Sequence, residues 1–368
     1  MRILHVAYVK PHGSLGGMER LVLDLATAQR ERYGCEVAFA LNHGRFAEAA
    51  RARGFACTHL AGRKALAALD AYRLYALIDR TRPSIVHSHH RMTTFLLSLL
   101  PRRETPLVHT EHLWRRNRRL FFRPGDCVCC VHSSIARNLS DYYEVSVDKL
   151  VTIDNAVPPI DVDRHRVATL RVSLSGATRR LLVLVPARLE PEKGHRYLLR
   201  ALAGMLPGQR TALSVIFAGD GSQREALRRQ VTRLRLDDVV QLVGYRDDIH
   251  DYMAACDLIV LPSLQEGMPL SILEAHQLGK PVIASDLPGT RYTGGRNGAV
   301  SLVPHADAAA LADSLTSFLC AGSHRATTTV PGPARTHDAM VADYMRVYRN
   351  LLKPCGHLDP SRRPAGEG

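Results

Sequence analysis

Two glutamates eight positions apart, Glu266 and Glu274, carry the sharpest chemical signal in the chain. They lie in Pro262-Ser263-Leu264-Gln265-Glu266-Gly267-Met268-Pro269-Leu270-Ser271-Ile272-Leu273-Glu274-Ala275, directly after the apolar run Leu258–Leu261. Gly267 and Pro269 mark a turn that opens a helix. The free backbone amides around Met268–Leu270, beside Gly267 and Pro269, mark a helix N-terminus suited to an anion. One to two turns deeper, Glu274 on the inward face suits both hydroxyls of a ribose. Glu266 at the rim suits a hydroxylated substrate. An acidic first turn can also serve the helix dipole alone, but that does not explain the apolar setting of Glu274.

A second signal is Arg188-Leu189-Glu190-Pro191-Glu192-Lys193-Gly194, after the apolar run Leu181–Ala187. In open α/β sheets, ligands bind beyond the carboxyl ends of the strands. Two cations there suit a diphosphate, Arg188 gripping it through two N–H groups and Lys193 acting as a point charge. Glu190 and Glu192 offer the alternative of a solvated, self-neutralised loop, and spacing alone leaves both readings open. A third signal is Gly13-Ser14-Leu15-Gly16-Gly17-Met18-Glu19, a glycine-rich strand-to-helix turn of the kind that meets phosphate. It matches neither the dinucleotide fingerprint nor the P-loop, and glycines of a plain tight turn fit equally well.

The elements that must position these residues repeat in two series. In the first half, apolar runs at Ile3–Val9, Cys35–Leu41, Ile85–His89, Leu107–Thr110 and Cys127–Val131 alternate with amphipathic stretches such as Met18–Arg32, Leu66–Arg80 and Met92–Leu100. Short apolar strands separated by helices predict a parallel sheet covered on both faces. Residues 155–180 interrupt the pattern with Pro158-Pro159 and a polar stretch, read as a linker. The pattern restarts with strands expected at Leu181–Ala187, Ala212–Ala218, Val239–Val243, Leu258–Leu261 and Val282–Ala284. Helices are expected at His195–Gly204, Gln223–Leu236, Ile249–Ala255 and Leu270–Leu278, with a last one at Asp338–Leu352. Two α/β domains in tandem follow; a single large one is the alternative that the linker argues against.

The 368 residues, 46% hydrophobic and 23% charged, exclude a disordered or collagenous chain and are enough for about two cores. Lys and Arg number 49 against 35 Asp and Glu, a net charge of +14. Nearly all of the excess lies in residues 1–180. No apolar run reaches the roughly 18–20 residues of a membrane-spanning helix, and the start lacks the form of a signal peptide. Cys127, Cys129 and Cys130 lack the spacing of a zinc knuckle and read as a buried strand, and the eight cysteines fit a cytosolic chain rather than a disulfide framework.

Taken together, these motifs resemble the retaining, GT-B-type glycosyltransferases of family 4 (group 1). Glu266 and Glu274 match that family's E-x₇-E signature. Around it stand Arg188 with Lys193-Gly194, Gly219-Asp220-Gly221, Gly244 before Asp247-Asp248, and the stretch from Ala255 to Ser263. In the first half, Leu15-Gly16-Gly17-Met18-Glu19-Arg20 is similar to the family's nucleotide-phosphate loop. Val86-His87-Ser88-His89 resembles its paired-histidine strand end, and His109-Thr110-Glu111-His112 its active-site histidine strand. The resemblance spans residues 2–352 and implies a GT-B fold, two Rossmann-like parallel-sheet domains facing across a cleft. The expected boundaries are 1–160 for an acceptor domain, 161–180 for a linker and 181–335 for a nucleotide-sugar donor domain. A helix at 336–353 is expected to pack back on the first domain, followed by a disordered tail at 354–368.

The resemblance also implies roles. Glu274 would bind the donor ribose and Arg188 and Lys193 the departing diphosphate. Gly16, Gly17, Pro269 and Leu270 would share the phosphates, with Gly219, Gly267 and Met268 in the same donor site, and Glu266 would bind the transferred sugar. His112 is the expected histidine near the anomeric carbon, with His109 as the alternative alignment. His87, His89, His109, Glu111 and Arg115 are placed on the acceptor side, although a core role is the default for His87 and His89. No D-x-D motif ends a strand, so a metal-free reaction without cofactor is expected. Asp247-Asp248 reads as a helix start. One departure stands out: many relatives carry a Gly-Gly-x-x-Glu stretch where this chain has Asp286-Leu287-Pro288-Gly289-Thr290-Arg291.

The tract Trp114-Arg115-Arg116-Asn117-Arg118-Arg119-Leu120-Phe121-Phe122-Arg123 suits an anionic membrane surface. It carries no signature of an RNA- or DNA-binding module, so no nucleic-acid partner is expected. The implied activity is transfer of a hexose from a nucleotide sugar, expected to be UDP-linked, to a cell-envelope glycan or glycolipid. Such a protein would be cytoplasmic and peripheral at the inner face of the membrane. A GT-B epimerase or phosphorylase, or an inactive scaffold, are the alternatives.

Overall fold

The computed structural model describes residues 1–9, 15–42, 44–116, 122–175, 180–295, 300–321 and 335–353. The chain divides into two compact units, the first built from residues 1–11, 18–155 and 337 onward, the second from 12–17 and 156–336.

In unit 1 a parallel sheet of seven strands has the order β3-β2-β1-β4-β5-β6-β7. The strands are β1 (Arg2–Ala7), β2 (Glu36–Asn42), β3 (Ala56–Leu60), β4 (Ile85–Ser88), β5 (Leu107–Glu111), β6 (Cys127–Cys130) and β7 (Leu150–Thr152). Unit 2 holds a parallel sheet of six, in the order β10-β9-β8-β11-β12-β13. Its strands are β8 (Leu181–Val185), β9 (Leu213–Ala218), β10 (Val240–Gly244), β11 (Leu258–Leu261), β12 (Val282–Ser285) and β13 (Val300–Val303). In each sheet the strand order reverses once, between β1 and β4 and between β8 and β11. Beyond the carboxyl ends at such a reversal the loops diverge and leave a crevice.

Helices cover both faces because the central strands are apolar on both. Along β8, Val183 and Val185 belong to one buried cluster and Leu182 and Leu184 to another, as the two-residue period of a strand demands. Cys127, Cys129 and Cys130 form the fully buried strand that their spacing predicts. Three strands went unread in the sequence: β3, β7 and β13. All three are edge strands with partly exposed residues, so none carries a continuous apolar run.

The segment expected as a linker is a packed element instead. A helix at Arg164–Ser175 seats Leu170 and Leu174 on a core of unit 2, and Arg171 donates to Asp257 at 2.6 Å. Its low hydrophobic periodicity hid it, since only the end of the helix is buried. The helix His337–Leu351 belongs to unit 1, where Met340, Tyr344, Met345 and Tyr348 are buried. Most of 323–335 and all of 354–368 lie outside the described residues. Among the described residues no helix is long and apolar enough to cross a membrane.

Candidate active site

Besides Gly16 and Gly17, unit 2 gathers nine of the predicted residues: Arg188, Lys193, Gly219, Glu266, Gly267, Met268, Pro269, Leu270 and Glu274. They occupy loops and a helix start beyond the carboxyl ends of its strands. The loop after β8 and the loop after β11 interlock. Leu264 N–H donates to the Glu192 carbonyl at 2.8 Å. Gly194 has φ of 69°, and a Cβ there would stand 1.8 Å from the Pro262 carbonyl oxygen, so the contact requires glycine. Gly289 plays the same part from the first turn of the helix Pro288–Gly295 that follows β12, where a Cβ would lie 1.6 Å from the Gly267 oxygen. The stretch that departs from the family pattern thus braces the turn between Glu266 and Pro269.

Where the loops meet, Lys193 Nζ donates to Glu266 Oε1 at 2.7 Å, and Ser263 Oγ donates to the same oxygen at 2.7 Å. The two predicted residues are one partly buried ion pair, which spacing could not foresee. Lysine has three donors, so the pair leaves N–H capacity on Nζ. Arg188 is half-buried, with Glu192 at 3.9 Å. Glu274 is buried in the helix Leu270–Gln277 and meets His250 Nε2 at 3.2 Å. His250 comes from the first turn of the helix Ile249–Ala255, and its place beside Asp247-Asp248 was the unread signal. Asp248 precedes that helix as expected and is gripped by Arg246 at 2.9 Å.

Unit 1 gathers His87, His89, His109, Glu111, His112 and Arg115. Register explains their two faces. His5 on β1 pairs with His87 on β4, and His87 with Val108 on β5, so His5, His87, His89 and Thr110 share one face. His109 pairs with Ser88 and points to the other. His87 is 0% exposed, with Nδ1 at 2.6 Å from Tyr348 Oη and Nε2 at 2.7 Å from Thr110 Oγ1. Both ring nitrogens are used, so His87 is a core residue and not a lining of the acceptor side. His109 is also enclosed, its Nδ1 at 2.8 Å from Thr94 Oγ1.

His112 is only half-buried, and of the two aligned histidines it is the one with access to solvent. Burial draws it down to about 3, against the pull of Glu111, so the ring is neutral near pH 7. Burial alone would raise the Glu111 carboxyl, but His109 and Arg91 hold it down at about 2. Arg91 Nε donates to Glu111 at 2.5 Å and Nη1 to Tyr143 Oη at 2.6 Å. Of the basic tract, Arg116 stacks its guanidinium over Trp114 at 5.2 Å and Tyr142 at 5.6 Å, and residues 117–121 lie outside the described residues. Gly16 and Gly17 stand where the helix Gly17–Tyr33 begins.

Comparison with known proteins agrees with the two-sheet fold. The family model for Glycosyltransferase Family 4 matches residues 15–160, and that for Glycosyl transferases group 1 matches residues 180–320. The chain is 30% identical to UDP-Gal:alpha-D-GlcNAc-diphosphoundecaprenol alpha-1,3-galactosyltransferase of Escherichia coli over 59% of this chain and 61% of that one. It is 27% identical to lipopolysaccharide core biosynthesis glycosyltransferase LpsE of Rhizobium meliloti (strain 1021), over 61% of this chain and 62% of that one. The chain thus matches about three fifths of the length of these relatives. Among solved structures, Anabaena Alr3699/HepE in complex with UDP-glucose aligns with a TM-score of 0.77 at 22% identity, covering 96% of this chain and 99% of that one. Sucrose-phosphate synthase (tll1590) from Thermosynechococcus elongatus aligns with a TM-score of 0.78 at 18% identity, covering 96% and 99%. With its two parallel sheets and both family models matched in order, the chain has the GT-B fold and belongs to the group 1, family 4 glycosyltransferases.

Proposed function

We propose that the protein transfers a hexose from a UDP-linked sugar to a cell-envelope glycan or lipid-linked acceptor, with retention at the anomeric carbon. The observation that carries this reading is the Lys193–Glu266 pair, with Ser263, at the strand-order reversal of unit 2. Nearby, Glu274 is buried in the helix that follows. Lys193 and Arg188 offset the charge that grows on the diphosphate as the sugar–phosphate bond breaks. Glu266 orients sugar hydroxyls and Glu274 the ribose. The acceptor oxygen bonds to the anomeric carbon on the face that the phosphate leaves, and the acceptor proton passes to the departing phosphate. No enzymic nucleophile and no metal are assigned a step.

The relatives support the substrate class. One is named for UDP-galactose and a diphosphoundecaprenol acceptor, one for lipopolysaccharide core, and a structural neighbour was solved with UDP-glucose. The net charge of +14 supports association with an anionic membrane surface. A thermal-shift series with UDP, GDP and ADP, followed by turnover of the matching sugars, tests the proposal. Lys193→Ala and Glu274→Ala are each expected to lower kcat by about 10²–10³. Turnover that survives both substitutions, or EDTA-sensitive turnover, overturns the site or the metal-free reading respectively. An inverted product anomer overturns retention.

A further inference from the structure

Beneath His112 lies a run of side chains that the transfer reaction does not itself call for. His112 Nε2 is 3.4 Å from His89 Nδ1, and His89 Nε2 is 2.9 Å from His5 Nδ1. His5 Nε2 is 2.9 Å from Gln29 Oε1, and Gln29 Nε2 donates to Tyr348 Oη at 3.3 Å. Apart from His112, these side chains are buried, the histidine rings of 5 and 89 stacking at 5.2 Å. Burial draws His5 down to about 4 and holds His89 well below its ordinary value, so both are neutral.

A neutral imidazole has one N–H and one lone pair, so a chain of such rings has a direction. With the Gln29 amide oriented toward Tyr348, its oxygen faces His5 and must receive a proton. His5 therefore carries its hydrogen on Nε2 and accepts at Nδ1. His89 must then donate from Nε2 and accept at Nδ1, which leaves His112 to donate from Nε2. We propose that Gln29, His5 and His89 are positioning residues that hold His112 in a single neutral tautomer, with the proton on Nε2 and the lone pair on Nδ1. His112 then presents an acceptor, not a donor, to whatever hydroxyl approaches Nδ1. Among the described residues no other group bonds that atom.

His5, His87 and His89 also offer nitrogens within 4.8 Å of one another, close enough for a metal ion. All six ring nitrogens already have hydrogen-bond partners in the protein. A metal would take the lone pairs on which the chain depends, so the two readings exclude each other.

The test is a long-range ¹H–¹⁵N spectrum of the full protein labelled in its histidine rings, recorded near pH 7. The expected result is Nε2–H for His5, His89 and His112. Nδ1–H at these rings, a charged ring, or an equivalent of bound zinc in the purified protein overturns the proposal. In His89→Leu, His112 is expected to populate both tautomers. His89→Gln, which retains one donor and one acceptor, restores Nε2–H. The consequence for turnover rests on the proposed transferase reading: His89→Leu lowers kcat about tenfold, the size of one lost hydrogen bond, with KM for the nucleotide sugar unchanged. An unchanged kcat overturns the positioning role, whereas absence of any transferase activity in the wild type overturns the proposed function and leaves the tautomers to the spectrum.

Discussion

The two units solve the same architectural problem with opposite materials. At the strand-order reversal of unit 2, β8 and β11 are wholly apolar, and the polar groups wait on the loops beyond them. At the matching reversal of unit 1, the polar groups are inside the sheet: His5 on β1 lies beside His87 on β4. Unit 2 keeps charges, as in Lys193 with Glu266, and holds them by backbone contacts that only glycine permits. Unit 1 keeps His5, His87 and His89 neutral and links them, directly or through Gln29, to each other and to Tyr348. By contrast, His195 in unit 2 is buried with neither ring nitrogen hydrogen-bonded to a described residue. A site made from charges needs rigid loops, and a site made from neutral imidazoles needs a protected interior.

That contrast predicts where each unit fails. The largest expected effect is Gly194→Ala, where the new methyl group would press on the Pro262 carbonyl at a positive φ. A loss of about 4 kcal/mol is expected in unit 2, together with loss of the proposed UDP binding. The single tryptophan, Trp114, reports on unit 1, so its fluorescence transition should stay in place. Movement of both transitions together would mean that the units do not unfold separately.

Acid is expected to act the other way round. Unfolded histidine takes up a proton near pH 6.5, whereas native His5 does so only near 4. The unfolded state therefore binds more protons between those values. Stability is full above pH 6.5 and falls as the pH drops, by about 1.4 kcal/mol per unit for each such histidine. For His5 alone the loss reaches about 3 kcal/mol by pH 4. His89, His90 and His112 add to it in the same unit. In urea titrations at pH 7 and pH 5, the Trp114 transition should move further than the remaining far-ultraviolet change. Equal shifts would erase the distinction.

Tyr348→Phe removes the hydroxyl that His87 and Gln29 share, and is expected to cost roughly 2 kcal/mol, again seen at Trp114. Arg103→Ala should change neither transition by more than about 0.5 kcal/mol, because its pair with Asp79 lies in solvent. A larger effect there would show that exposed charge matters more in unit 1 than its neutral core suggests.

Much of unit 2 was readable along the chain, because strand, turn and helix signals fall within a dozen residues of each other. Glu266 and Glu274 announce themselves by spacing, and helix boundaries at His195–Gly204 and Ile249–Ala255 match the periodicity. The Lys193–Glu266 pair was not readable, since it joins residues brought together only by the sheet. In unit 1 the paired histidines were visible, but His5 looked like any strand residue. Gln29 and Tyr348 come from helices far apart in sequence, one of them at the other end of the described chain. Arg91 adjoins His89 and His90, and nothing local shows that it reaches across to Glu111. Close spacing reveals chemistry built on one loop; it is silent where the fold assembles a chain of partners from five elements.

The helix His337–Leu351 caps the histidine face of unit 1, although all of unit 2 precedes it in the chain. During synthesis, unit 1 therefore cannot finish its interior until unit 2 has emerged from the ribosome. Throughout that interval the strands carrying His5 and His87 await Tyr344 and Tyr348, with a polar interior open to water and to other chains. The second unit is, in this sense, a timer set between the two ends of the first.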